Sequence, residues 1–582
     1  MFKYILYIFL FSSLSLLAQK KTELVFQLLD AEALPKALKP KTSFPNEEKM
    51  NEYLKQFLRS AHSKSYIEAS IDSLIATENI YTAYFYLGKS YKIATLENGN
   101  LEADVIRNVK FKQDDFLDES FSFPEIERLQ KNILKYYNDK GFPFAEVYLD
   151  SFAIAENQVF AKIYAEKHTI FTIDTLIVMG NTNTKSKYLQ NYLGIQKGDL
   201  YDQSKIKAIK SKLAQLSFVS ETQDAQVVFL DQKVEVYVFI DKQKSNQFDL
   251  LIGVAPNSSL TKNKVNITGD GLLHLKNSFG VGEEIYLNFK QLKPRTQNLD
   301  IKLNYPFFLN LPFGVEGTFG LFKNDTSFLN LNSKAGFHYA YNGADFIQLF
   351  YQNQTSNVLN YDTTTVRLLQ KLPEVLDIST NRFGVALHNQ KLDYILNPRR
   401  GFDFTFGASV GIKKIKENAK LKEIKSDIYL DLKPNTINFA FNIDFSYHIP
   451  ILKRHSFMLQ NQSSFFVSKN ILENEKYRLG GANSLRGFDE EAIFTPYFSL
   501  FTLEYHFLLS KNTYFYAFGD LAIVEDNRFA AKTIDTPYGF GVGAALETKG
   551  GIFSLSYALG SQLGNKIEIK NGKIHFGYIN LF

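Results

Sequence analysis

From Phe248 to the C-terminal Phe582 the chain repeats one pattern: roughly ten residues in which every second side chain is apolar, with no helical stretch between them. In "QNLDIKLNY" Leu299, Ile301, Leu303 and Tyr305 alternate with Asn298, Asp300, Lys302 and Asn304. In "TINFAFNIDFSYH" Phe439, Phe441, Ile443, Phe445 and Tyr447 alternate with polar or small residues. A period of two places one oily and one wet face on each strand. Nothing helical is available to cover the oily face, which is heavily aromatic: the chain holds 53 Phe and 33 Tyr but no Trp. Closing such strands into a ring in lipid satisfies every backbone group, turning apolar faces to acyl chains and polar faces to an aqueous lumen. At roughly 20 residues per strand and turn, this region predicts about 16 strands.

Other features bound the remaining possibilities. The net charge of +5 over 582 residues gives no reason to expect nucleic acid, and the absence of cysteine excludes disulfides and thiolate chemistry. "MFKYILYIFLFSSLSLLAQKK" has the order of a secretory signal peptide, expected over 1–18: Lys3, an apolar run, then Ala18 before Gln19. Leu16 stands where that motif prefers a small residue. No later run of about 18 apolar residues predicts a membrane-spanning helix.

Between residues 98 and 242 the order strand, helix, glycine, two strands occurs twice. In "SFPEIERLQKNILKYYNDKGFPFAEVYLD", Ser122 and Glu125 have capping-box spacing, and Ile126, Leu129, Ile133 and Tyr136 recur on one helical face. Strands follow at about 144–153 and 158–166. In the second copy Tyr188, Leu189 and Leu193, then Ile206, Ile209, Leu213 and Leu216, precede a strand at Val234 to Ile240. A weaker copy comes first, its helix carrying Met50, Tyr53, Phe57 and Ala61 before strands near 65–74 and 82–93. Domains are therefore expected at 22–97, 98–168 and 169–243, ahead of a barrel over 246–582. The exposed sheet edges of such units can accept an extended strand.

One loop stands apart. "YRLGGANSLRGFDEEAIF", residues 477–494, lies in a connection of about 30 residues, expected to fold inward over 470–496. An arginine in a partly dry lumen needs a carboxylate in forked geometry. Alternation in "SLFTLEYHF" turns Glu504 inward, opposite in face to Phe501, Leu503, Tyr505 and Phe507; in "YFYAFGDLA" Asp520 shares a face with Phe518. Asp520 is the first choice of partner for Arg486 and Glu504 the second.

"LGGANSLRGF" resembles the sixth-loop signature of the BamA/TamA outer-membrane assembly-factor superfamily. "YPFFLNLPFG" (305–314), "LDYILNPRRGF" (392–402), "FYAFGDLA" (515–522) and the closing "KIHFGYINLF" agree with it in order, although Asn580 interrupts the apolar face of the last strand. "IVMGNT" and "NDKGFPFAEVYL" resemble polypeptide-transport-associated (POTRA) repeats. The resemblance implies periplasmic α+β POTRA-like repeats followed by a 16-stranded antiparallel transmembrane β-barrel. It also implies a lumen motif Leu485, Arg486, Gly487 and Phe488 packed on inner-wall partners Asp520, Phe518 and Glu504. The partners implied are the outer-membrane bilayer, unfolded outer-membrane or secreted client polypeptides, and a periplasmic or inner-membrane accessory protein. The length is nearer the TamA-like branch than the BamA-like branch with its five repeats.

A barrel must join its first strand to its last. Gly253 and Gly577 place little side-chain packing at that junction, near the terminal Phe582, so a lateral seam is expected there. Function is accordingly expected to be insertion or translocation of client strands through the seam. The alternatives are a two-partner secretion pore exporting a soluble client, or an outer-membrane receptor or adhesin. No catalytic residue, cofactor, metal site or nucleotide site is expected. "GASVG" (407–411) matches a nucleophile-elbow pattern, but Phe402, Phe404 and Phe406 alternate into it as a strand and no helix follows. The glycines of "GFGVGAA" (539–545) likewise read as small residues on a strand.

Overall fold

The computed structural model describes residues 21–117, 119–256, 265–293, 296–526 and 533–582; the expected signal peptide at 1–18 lies outside the described residues. The chain divides into two compact units. One runs to Thr172 and includes Leu200–Ser204; the other holds Ile173–Asp199 and Lys205–Phe582.

The first unit contains two small α/β sheets. Strand Thr22–Leu28 lies parallel to Ile80–Tyr86, with Ser70–Thr77 outside it, under helix Glu47–Ser63. Asn46 caps that helix by accepting from the Lys49 amide, and Met50, Leu54, Phe57 and Ala61 form its buried stripe. Leu54, rather than Tyr53, completes the stripe. The two antiparallel strands meet at a tighter turn than expected, at Glu78, which has a positive φ, and are shorter than expected at their outer ends.

The second sheet begins at Lys92, earlier than the expected boundary at 98. Strand Lys92–Asn98 pairs in parallel with the central strand Gln158–Glu166, and Glu146–Ala155 forms the other side. Helix Phe123–Asn138 buries Ile126, Leu129, Ile133 and Tyr137 against it. Ser122 occupies the N-cap position, yet its side chain makes no capping bond; the expected capping box is not formed, and Pro124 in the first turn sets the start instead.

Asp139, at the C-terminal cap of this helix, accepts from the Ser204 amide (2.9 Å), the Ser204 hydroxyl (2.8 Å) and Lys135. Burial opposes ionisation of its carboxyl, but these donors outweigh it and hold the group below the usual carboxylate range.

In the second unit, helix Ser186–Leu193 and helix Gln203–Leu213 from Lys205 onward accompany a sheet whose last strand, Lys233–Lys242, is again central. All three sheets share this arrangement. The hairpins turning at Glu156–Asn157 and Asp231–Gln232 have positive φ at both residues, the primed geometry that suits the twist of paired strands.

Among the described residues the large sheet has seventeen strands. One is the three-residue piece Thr533–Asp535, which pairs with the far part of Tyr514–Asp526; the other sixteen run antiparallel in chain order from Gln247–Pro256 to Lys573–Ile579. Burial along them is inverted relative to a water-soluble protein. Phe337 (69 %), Phe383 (67 %) and Ile437 are exposed, while Lys413 (0 %), Asn438 (0 %), Gln348 and Arg382 are buried. That inversion places hydrocarbon outside and polar matter within. The turns at the end where Gln247 lies, the near end, are short; at the far end residues 359–377, 416–434 and 469–496 form long connections. These three pack together through Val366, Leu376, Leu421, Tyr429 and Leu472, an apolar cover at the far end.

The third α/β domain is seated on the near-end turns of the same unit. The Lys185 amide donates to the Gly280 carbonyl (2.8 Å), and Asn183 and Thr184 bond Asn277 (3.0 and 2.8 Å). The Tyr188 ring lies 5.5 Å from that of Phe307. A Cβ at Gly282 would stand 2.0 Å from the Tyr188 ring, so only glycine fits there, and its φ of +74° suits glycine as well. Burial pushes the phenols of Tyr188 and Tyr192 upward, keeping both neutral.

Candidate functional site

The connection at 469–496 folds as a small hairpin, Tyr477–Leu479 against Ile493–Thr495, and reaches the inner wall. Gly480, Gly481 and Gly487 all have positive φ, which lets the chain reverse tightly at its tip. The tip touches wall backbone directly. A Cβ on Gly487 would sit 2.6 Å from the Gly560 amide nitrogen, and one on Gly539 would sit 2.0 Å from the Arg486 carbonyl oxygen. The glycines of "GFGVGAA" thus include one required by the loop.

Leu485 is buried with Leu479, Leu500, Ala522 and Val524, and Phe488 packs against the same cluster. The Arg486 side chain is 11 % exposed. Its Nε donates to Asp520 Oδ2 at 2.7 Å and its Nη2 to Asp520 Oδ1 at 2.6 Å, the forked arrangement that suits a planar guanidinium. Its Nη1 donates to Glu504. The guanidinium carbon lies 3.6 Å from the centre of the Phe518 ring. Asp520, Phe518 and Glu504 therefore all meet the arginine, two acids sharing one cation.

Further residues complete the cluster. Thr502 Oγ1 donates to Asp520 Oδ1 (2.9 Å), and His506 Nε2 lies 2.8 Å from Glu504 Oε2. Both share the inward face with Glu504 by strand parity, the signal that marks them in the sequence.

The root of the loop is tied to other parts of the wall. Lys413 Nζ donates to Glu475 Oε2 (2.8 Å) and to the carbonyls of Lys469 and Asn470 (3.2 and 3.0 Å), satisfying a fully buried ammonium. Asn474 donates to Ser356 Oγ (2.6 Å) and the Leu376 carbonyl (2.9 Å). Arg478 bonds Glu491 (3.0 Å) and stacks 3.4 Å above Phe322. Beside the hairpin lies a polar cavity of about 460 Å³ lined by Asn298, Asp300, Arg382, Asn442, Glu475 and Arg478. The hairpin thus bridges opposite stretches of wall and occupies the lumen.

At the junction of first and last strands, Gln247 and Leu581 form a single bridge pair among the described residues. The Phe248 amide donates to the Asn580 carbonyl (3.3 Å), the Phe582 amide to the Asn246 carbonyl (3.0 Å), and the Asn580 amide to Asp249 (3.2 Å). Asn580, which interrupts the apolar face, is one of the residues that join the edges. By contrast the last two strands are aligned from Ile552–Ile579 through Ala558–Lys573. Gly253 pairs with Thr268 and Gly577 with Ser554, each on its own side of the junction. Extending the Gln247–Leu581 register would set Gly253 opposite His575, so Gly253 and Gly577 are not direct partners.

The Omp85 superfamily domain matches residues 277–578, more than half of the chain. The chain belongs to the Omp85 superfamily. A second match, the surface antigen variable number repeat of the POTRA type, covers residues 171–243. No curated protein matches the chain in sequence. Among solved structures, CdiB from Escherichia coli is similar at TM-score 0.53 and 12 % identity, and CdiB from Acinetobacter baumannii at 0.52 and 11 %. Each comparison covers 92 % of this chain and 97 % of the other. BamA from Haemophilus ducreyi lacking POTRA domains 1–3 aligns at TM-score 0.42 and 14 % identity, over 84 % of this chain and all of that one. The two CdiB structures share the fold of this Omp85 protein. As a member of the superfamily it is a translocation or assembly factor of the bacterial outer membrane, acting on client polypeptides.

Proposed function

We propose that this Omp85 protein inserts client β-strands into the outer membrane through the seam between its first and last strands, with the α/β domains in the periplasm gathering clients on their sheet edges. The observation that carries the reading is the single bridge pair at Gln247–Leu581. Unpaired backbone groups facing hydrocarbon cost several kcal/mol each, so an edge joined this sparsely favours a strand that completes it. Strand Glu146–Ala155, at the side of its sheet with Phe152 and Ile154 exposed, offers an edge of the kind that collects extended chains.

Two features weigh against export through the lumen. The hairpin occupies it, and Val366, Leu421 and Leu472 pack the three long far-end connections together. A soluble client would have to displace both.

The test is a disulfide across the seam. The bonds flanking Gln247 and Leu581 make them a non-hydrogen-bonded antiparallel pair, whose Cα atoms are about 4.5 Å apart, within the disulfide range. With no native cysteine, Q247C/L581C forms one defined bond. Under oxidising conditions the variant should stop supporting insertion of other barrels and should recover on reduction. Full insertion activity while cross-linked would overturn the proposal; loss of one exported protein with barrels unaffected would favour a secretion pore.

A further inference from the structure

The outer wall carries a groove that neither the seam nor the lumen uses. It measures about 700 Å³, and Ala408 lies at its floor between Phe383, Val385, Val410, Phe439 and Phe441. Ala408 is the small residue of "GASVG" on the outward face, and it leaves a depression where that face is otherwise crowded with rings. Phe383, Val410 and Phe439 are neighbours in register across three adjacent strands, so the depression is a feature of the sheet itself.

Along the same face of strand Gly401–Ile415 the apolar series Ala408, Val410, Ile412 ends at Lys414, and Lys416 follows at the strand end. Both lysines are exposed and neither is ion-paired with a described residue. Beside them the neighbouring strands turn polar at the same level: Asn381 pairs with Ile412, and its side-chain oxygen accepts from Tyr351 Oη and Asn353 Nδ2 (2.7 Å each). Six residues from Ala408 to Lys414 span about 20 Å along a strand. At a tilt of roughly 40° this rises about 15 Å, the distance from the middle of a bilayer to its headgroups.

We propose that this wall binds a phosphate-bearing lipid of the outer leaflet, its phosphate between Lys414 and Lys416 and an acyl chain in the Ala408 groove. Charge complementarity chooses the occupant: two free cations above an apolar trough fit an anionic headgroup above a hydrocarbon chain. The placement in the outer leaflet rests on the orientation proposed above. Such a lipid would anchor the wall beneath the connections 359–377 and 416–434, away from the seam.

The test uses the full chain, purified in detergent, with native mass spectrometry of bound lipid. The probes are a diphosphorylated glucosamine-disaccharide lipid and the same lipid enzymatically dephosphorylated. The phosphorylated form should bind preferentially, by roughly twenty-fivefold if each cation contributes about fivefold. K414Q/K416Q should abolish that preference, whereas Ala408→Phe should weaken both probes alike. An equal affinity of the native chain for the two probes, or an undiminished preference in K414Q/K416Q, would overturn the proposal. No client and no seam opening enter this measurement, so its failure leaves the insertion reading standing and the reverse also holds.

Discussion

Replacing Arg486 by alanine would leave Asp520, whose side chain is fully buried, without its forked partner, and Glu504 with only His506. The Thr502 hydroxyl and the Arg486 amide (3.2 Å) would remain on Asp520, too little to offset a buried carboxylate. Removing one member of a buried ion pair costs about 3–5 kcal/mol, and the lost stacking on Phe518 adds about 1 kcal/mol. At about 1.4 kcal/mol per decade, the folded population relative to unfolded should fall at least about a hundredfold. The cost comes from orphaned charge, so R486A/E504Q/D520N should recover most of it. With no tryptophan for indole fluorescence, urea unfolding in vesicles is followed by far-ultraviolet circular dichroism. A native midpoint in R486A, or equal destabilisation of the single and triple variants, would refute the reasoning.

Other outcomes follow from the same structure. Lys413→Ala, which strands Glu475 in a dry site, should destabilise by about 3–5 kcal/mol, whereas Lys413→Met with Glu475→Leu should come close to neutral; unfolding midpoints separate the two cases. Gly487→Val should disturb the hairpin, because its φ of +90° and the 2.6 Å approach to Gly560 both exclude a side chain; accelerated proteolysis between 469 and 496 is the readout. Tyr188→Ala should loosen the third α/β domain from the near-end turns, costing about 3–5 kcal/mol of packing; broadened distances between spin labels on that domain and the barrel would report it. Asp139 has a depressed carboxyl pKa, so its contribution is fully present above about pH 4, where the unfolded group ionises. It is lost as pH falls through the lower folded value. Asp139→Asn should remove the acid dependence of protease protection around Ser204.

How much of this was legible beforehand depended on the range of the interaction. Period-two alternation, a local signal, located the strands and the inward face of Glu504 and Asp520, the carboxylates found on Arg486. Lys413 shares the inward parity, but which inward residues meet across the lumen depends on the path of a long loop. Its partner Glu475 therefore carried no advance mark. The seam shows the same limit: closing a barrel sums the stagger of every strand pair, so the meeting of Gln247 with Leu581 could not be read from the two terminal strands alone. At the helices the errors were one residue in phase, Tyr137 for Tyr136 and Leu54 for Tyr53, where both candidates border the apolar stripe.

The contacts of Gly487 and Gly539 also tie distant stretches of chain to one wedge. The tip of the hairpin is lodged against main-chain atoms of late strands, while its root is fastened to Lys413 and Ser356 on strands synthesised earlier. Staves far apart along the chain are thus pinned to one stopper, so drawing it out would loosen both sides of the cylinder at once.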